Sequence, residues 1–137
     1  MELNDEDKKL IDTANQLLAK VKGKMPIRKY SGAVAAALLA TNGKTYTGIY
    51  LDFYCGEGVC AERNAIAEMA KDCETQIKKI VAVSETGVVP PCGVCREVIY
   101  QFNKLNLDTK VIVSNDKKVL LKELLPMNWQ GSFEGLD

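Results

Sequence analysis

Helix-periodic segments and short apolar runs alternate along residues 33–125, and this alternation narrows the fold more than any other feature of the chain. The first two runs, 33–41 and 44–51, flank Asn42-Gly43. That dipeptide best tolerates the positive φ angles of a tight hairpin, so the pair is expected to form antiparallel strands. A glycine loop at 56–58 leads into 59–73, where Ala65, Ile66, Met69 and Ala70 recur at helical spacing. A buried strand is expected over 79–84, a second helix over 92–102 after Pro90-Pro91, a β-branched strand over 110–113 and a short helix near 119–125. Upstream, Asn4 can cap an amphipathic helix over 5–21 with Leu10, Ile11, Ala14, Leu17 and Leu18 on one face and Gly23 at its end. This order predicts an α/β sandwich in one domain, 1–137, with an antiparallel opening hairpin and later strands made parallel by helical crossovers.

Charge and cysteine usage limit what such a domain can do. Basic and acidic residues balance at 18 each, with no basic stripe, so neither nucleic acid nor an anionic membrane is expected as a partner. A small, nearly neutral ligand fits better. Residues 1–10 are charged, and no later run approaches the roughly 18 apolar residues of a membrane span, from which a cytoplasmic location is expected. Five cysteines, an odd number without a secretion signal, argue against a disulfide framework and for metal binding or catalysis. Histidine is absent, so a soft metal must sit on sulfur and no imidazole can act as general base.

Cys92 and Cys95 lie one helical turn apart at an expected helix start, where the helix dipole favours thiolate. That pair alone fits a dithiol redox motif as well as a metal site. Cys60 also sits at an expected helix start and has a carboxylate two residues on, at Glu62. Side chains two apart diverge on a regular helix, so Cys60 and Glu62 can share a site only if the helix begins there, near Val59. Three thiolates with one open position describe a catalytic zinc; a fourth sulfur, from Cys55, would make the site structural.

Cys60-Ala61-Glu62 followed by Pro91-Cys92-Gly93-Val94-Cys95 matches the signature of zinc nucleobase deaminases. Together with Tyr30-Ser31, Thr47-Gly48, Arg63, Arg96 and Leu124-Leu125-Pro126, it makes the chain similar to the cytidine deaminase family of the small three-cysteine type. The resemblance implies a three-layer α/β/α sandwich around a mixed sheet of about five strands. It also implies zinc on Cys60, Cys92 and Cys95, with Glu62 as the proton carrier in hydrolytic deamination of an aminated ring. Arg63 would offset the negative charge of the sulfur ligands, the carbonyl of Pro90 would receive the leaving amine, and the amide of Ala61 would face the base. Relatives of this size are commonly tetramers, so a homo-oligomer is expected.

For the group attached to the ring, the resemblance divides. Tyr50 and Asp52 stand where nucleoside-specific members have Asn-x-Glu, and Gly32-Ala33 replace a stacking aromatic after Ser31. These differences and the shortened loop between Gly48 and Cys60 resemble the blasticidin-S deaminase branch, whereas Arg63 resembles the nucleoside branch. The expected substrate is a cytosine-type ring, as in cytidine, deoxycytidine or a nucleoside analogue such as blasticidin S, with Ser31, Tyr50, Asp52 and Trp129 as candidate contacts. Trp129 and Phe133 follow Leu124-Leu125-Pro126, where a tail aromatic can stack on a flat heterocycle or simply cover core.

Overall fold

A computed structural model describes residues 1–133. Helix α1, Asp5–Val21, opens on Asn4: its side chain accepts from the Asp7 amide, while the Asp7 carboxylate accepts from the Asn4 amide. This reciprocal cap, with three acids in the first turn, satisfies donors that the first helical turn leaves orphaned. Gly23 follows the end of the helix at φ 70°, a conformation available to glycine at little cost.

Strands β1 (Ala35–Ala40) and β2 (Thr45–Ile49) form the expected hairpin, with Leu38 opposite Tyr46. Helix α2 (Ala61–Ala70), strand β3 (Ile77–Ser84), the short strand β4 (Gly87–Val89), helix α3 (Gly93–Phe102), strands β5 (Lys110–Ile112) and β6 (Lys118–Leu120), and the one-turn helix α4 (Leu121–Leu124) complete the main elements. The six strands make one sheet in the order β2-β1-β3-β5-β6, and β4 pairs with the far half of β3 beyond β5.

The directions differ in part from those expected. Among the described residues only the β3–β5 pair is parallel, across the α3 crossover. Strand β3 pairs antiparallel with β1 because β1 lies between β2 and β3, so the α2 crossover joins strands that share a direction without being neighbours. Val119, expected in a helix, instead lies in β6, antiparallel to β5 opposite Val111.

Alternation along the strands divides the core into two layers. Ala35, Ala37, Val81 and Val83 face Leu10, Ala14 and Leu18 of α1, while Leu38, Ile80 and Val111 pack with Ala65, Ile66 and Met69 of α2 and Ile99 of α3. Helix α1 therefore covers one face of the sheet, and α2 and α3 cover the other. The N-termini of α2 and α3 come together on that second face. Among the described residues, no helix is long and apolar enough to cross a membrane.

Candidate metal centre and ring cleft

Cys60 is extended, at φ −63° and ψ 150°, and is the N-cap of α2, which brings its side chain and that of Glu62 to one site. The expected helix start near Val59 is met within two residues. Cys92 is likewise the extended N-cap of α3, and Cys95 lies in the first turn of that helix. The Cys60 and Cys92 sulfurs are 3.6 Å apart and those of Cys92 and Cys95 3.5 Å, all three lying within 4.8 Å of one another. Cys55 is exposed and is not in this cluster, so the structure does not assemble the four-cysteine alternative.

Close packing sets the position of α2. A Cβ at Gly48 of β2 would lie 2.4 Å from both the Ala61 carbonyl oxygen and the Ala65 amide nitrogen, so only glycine lets the helix start rest this close to the sheet. One turn on, the Asn64 side-chain amide donates to the Ile49 carbonyl at 2.7 Å, and the Glu68 carboxylate accepts from the Thr47 amide at 3.2 Å. These bonds satisfy backbone groups that edge strand β2 would otherwise leave open. For α3, Arg96 donates from Nε to the Pro91 carbonyl at 2.9 Å and from Nη1 to the Leu124 carbonyl at 3.3 Å, bracing the loop that carries Cys92. Glycine inside a strand pattern signals close approach at Gly48; the sequence held no comparable signal for Asn64 or Arg96.

Glu62 is 5% exposed, and Cys95 is fully buried with its thiol 3.7 Å from Glu62 Oε2. Burial pushes the Glu62 carboxyl above its ordinary pKa, against its own backbone amide, the Cys95 thiol and the charge of Arg63. Burial also drives the Cys95 thiol far up, with the Glu62 charge adding to the effect. At Cys92 burial acts upward too, but hydrogen bonds from the Cys95 amide and from the Cys95 and Cys60 thiols outweigh it, and the thiol lies below its usual range. Arg63 donates from Nη2 to Cys60 Sγ at 3.6 Å and to the Gly58 carbonyl at 3.4 Å. The Cys60 sulfur and the charges of the thiols hold its guanidinium more firmly protonated than usual.

Three soft donors at two helix N-termini, with a guanidinium against one sulfur, suit a thiophilic dication such as zinc. Cys60, Cys92 and Cys95 are the residues that could hold it. Beside them opens a cleft of about 160 Å³ walled by Val34, Tyr50, Ala61, Glu62, Val89 and Pro90. At about 30 Å³ per water molecule, that is the scale of a single heterocycle.

Of the side chains expected at the substrate, the structure brings Tyr50 to this cleft, together with the backbones of Ala61 and Pro90. Ser31 and Asp52 do not line it. The Ser31 hydroxyl accepts from the Asp52 amide at 2.9 Å, and the Asp52 carboxylate pairs with Arg28 at 3.3 Å. Strand β2 ends at Ile49, so the alternation that would have set Tyr50 and Asp52 on one side no longer holds at those residues. Trp129 is also absent from the cleft wall: it is 64% exposed, packs on Phe133 with ring centroids 4.6 Å apart, and is held through its amide by Glu97 at 2.6 Å.

Comparison with known proteins agrees with this geometry. The family described as cytidine and deoxycytidylate deaminase zinc-binding region matches residues 5–119. A cytidine deaminase of Sporosarcina psychrophila is 36% identical over 86 residues, which span 61% of this chain and 62% of that one. A blasticidin-S deaminase of Bacillus cereus is 25% identical over 93% of this chain and 94% of its own. The fold is that of a cytidine deaminase from Mycobacterium tuberculosis, which superposes with a TM-score of 0.76 at 21% identity, covering 92% of this chain and 98% of that one. With most of its length matched and the three thiols gathered beside a buried carboxylate, the chain belongs to the zinc-dependent cytidine and deoxycytidylate deaminase family.

Proposed function

We propose that this single-domain chain hydrolytically deaminates a cytosine-type ring seated in the cleft over Glu62, with zinc held by Cys60, Cys92 and Cys95. The observation that carries the reading is the contact of a nearly buried carboxylate with the cysteine cluster, Cys95 Sγ to Glu62 Oε2 at 3.7 Å. Zinc at this position supplies the acidification of water that yields a nucleophile at neutral pH. Glu62 does the proton work: it accepts a proton from the attacking water, passes it to the ring nitrogen, then carries the second proton to the departing amine. The ring carbon gains oxygen and loses nitrogen, so water and an amino ring give a carbonyl and ammonia. A carboxyl raised by burial is suited to this exchange, since it neither holds a proton too weakly nor stays charged throughout.

The remaining contacts belong to the same reading. The Pro90 carbonyl accepts from the amino group, the Ala61 amide faces the ring, Tyr50 closes one wall, and Arg63 offsets the charge of the sulfurs. A homo-oligomer, a tetramer by resemblance, is supported by exposed apolar side chains at Tyr54, Met127 and Trp129. A cytoplasmic location is supported by five free cysteines, which suit a reducing compartment.

Ammonia release tests this reading when screened over cytidine, deoxycytidine, cytosine and blasticidin S. Turnover of at least one cytosine-type ring by zinc-loaded protein is expected. Stoichiometric zinc with no ammonia from any of them would show the metal centre to be structural.

A further inference from the structure

Pro90 walls the ring cleft and is followed by a second proline, so neither residue has an amide hydrogen by which the segment could be tied down. Both rings fix φ, and a residue before proline is held extended. The free rotation between the Pro90 carbonyl and Cys92 is therefore ψ at Pro91. Upstream, the segment is anchored by β4, where Val89 pairs with Ala82 of β3. Downstream, Arg96 takes the next two carbonyls in turn: its Nε donates to that of Pro91 at 2.9 Å and its backbone amide to that of Cys92 at 3.0 Å. The Pro90 carbonyl is passed over. Among the described residues it accepts no hydrogen bond, which leaves it open to a ligand in the cleft.

The guanidinium of Arg96 is itself buttressed. Its Nη1 donates to the Leu124 carbonyl at 3.3 Å, at the end of α4. That helix is seated by the fully buried Leu121, whose amide donates to the Thr109 carbonyl at 2.9 Å. A planar fork that reaches two carbonyls in different segments is a geometry arginine supplies and lysine, a single charge on a flexible stem, does not. Arg96 is not among the residues that wall the cleft, so it acts on a bound ring through Pro90.

We propose that Arg96 is a positioning residue for leaving-group recognition: by holding ψ at Pro91, it keeps the Pro90 carbonyl turned to the exocyclic amine of the ring at a fixed offset from Cys92. The proposal rests on the ring-deaminating reading of the cleft and adds what lets the cleft tell an amino ring from its carbonyl product. The amine donates to the Pro90 carbonyl, whereas the deaminated ring meets it oxygen to oxygen and is bound less well.

The test measures calorimetric Kd for cytidine and uridine with zinc-loaded protein in a Glu62→Gln background, where turnover is slowed. With Arg96 in place, cytidine should bind about tenfold more tightly, the scale of one hydrogen bond against an unpaired acceptor. Arg96→Lys should bring the two constants to within about twofold of each other, with zinc retained on the cysteines. Pro91→Ala frees φ but leaves Arg96 in place, and should give an intermediate ratio; it decides the matter if Arg96→Lys does not fold. A ratio near one with Arg96 present, a ratio unchanged in the variants, or zinc lost together with the ratio overturns the proposal, the last by showing Arg96 to be merely structural. Ammonia release by protein with Glu62 intact separates the two failures. If cytidine is deaminated, the role of Arg96 falls alone; if no cytosine-type ring is, the reading of the cleft falls with it.

Discussion

Among the described residues, each face of the sheet buries one carboxylate, and the two are treated in opposite ways. Under α1, Asp7 is fully buried between two lysines that are themselves buried, Lys79 at 2.7 Å and Lys118, and it also accepts from the Asn4 amide. Burial works against its charge, but the bonds from Lys118, Lys79 and Asn4 outweigh it and hold its pKa below the usual range. Under α2 and α3, Glu62 is almost as buried and has a thiol and a more distant guanidinium for company, so burial prevails and its pKa rises. A carboxylate enclosed by cations is locked in its ionised form and serves as a fixture. One enclosed by sulfur is free to take up and release a proton, which is what the proposed chemistry requires of Glu62.

Substitutions can break this contrast. The largest effect is expected at Cys95, where replacement by Ala removes a proposed ligand at the buried end of the site. Zinc content should fall from about one per chain to a small fraction, with turnover lost, as read by metal analysis beside ammonia release. On the other face, Asp7→Ala leaves buried Lys118 without its carboxylate and Lys79 with Glu6 alone, and should cost about 3–5 kcal/mol in denaturant unfolding, while activity per folded molecule is retained. Asn64→Ala removes one bond between α2 and β2 and should cost about 1 kcal/mol by the same measurement. The exposed Lys122–Asp108 pair, at 2.9 Å, is the control: Lys122→Ala should change stability by less than about 1 kcal/mol.

The pH dependence of stability sharpens the same comparison. The folded pKa of Asp7 is depressed, so its contribution is present above the ordinary carboxylate pKa and is lost as pH falls through the folded value. Lys79 has the opposite sign. Burial pulls its pKa down, but Asp7 and Glu6 raise it above the usual lysine range, so its contribution is full below that range and is lost as pH rises through the folded value. Denaturant midpoints should be level between these limits, and Asp7→Asn should flatten both shoulders.

Much of this was legible in the sequence where the signal is local. Asn4, the acidic first turn and Gly23 fixed both ends of α1, and the cysteine spacings located the two helix starts. What escaped depends on distant partners. Val119 and Leu120 read as helix because their pairing with Val111 and Lys110 is set by the sheet and not by their neighbours. Strand β4 is three residues long and carries no period. Lys79 sits in a run that reads as buried strand, yet its acceptable burial depends on Asp7, seventy-two positions earlier. Asp52 is expected at the substrate only from its match to the Glu of the family's Asn-x-Glu, and its pairing with Arg28, twenty-four positions earlier, carries no signal in spacing.

The central claim is that Glu62 carries protons and does not hold the fold or the metal. Glu62→Gln keeps the size and burial of the side chain and removes its ability to ionise. Ammonia release from the best cytosine-type substrate should be compared between this variant and wild type at matched zinc content and matched thermal stability. The account predicts a loss of 10²-fold or more, roughly the contribution of a positioned acid/base, with zinc and melting behaviour unchanged. Retained turnover, or zinc lost together with the carboxylate, would contradict it.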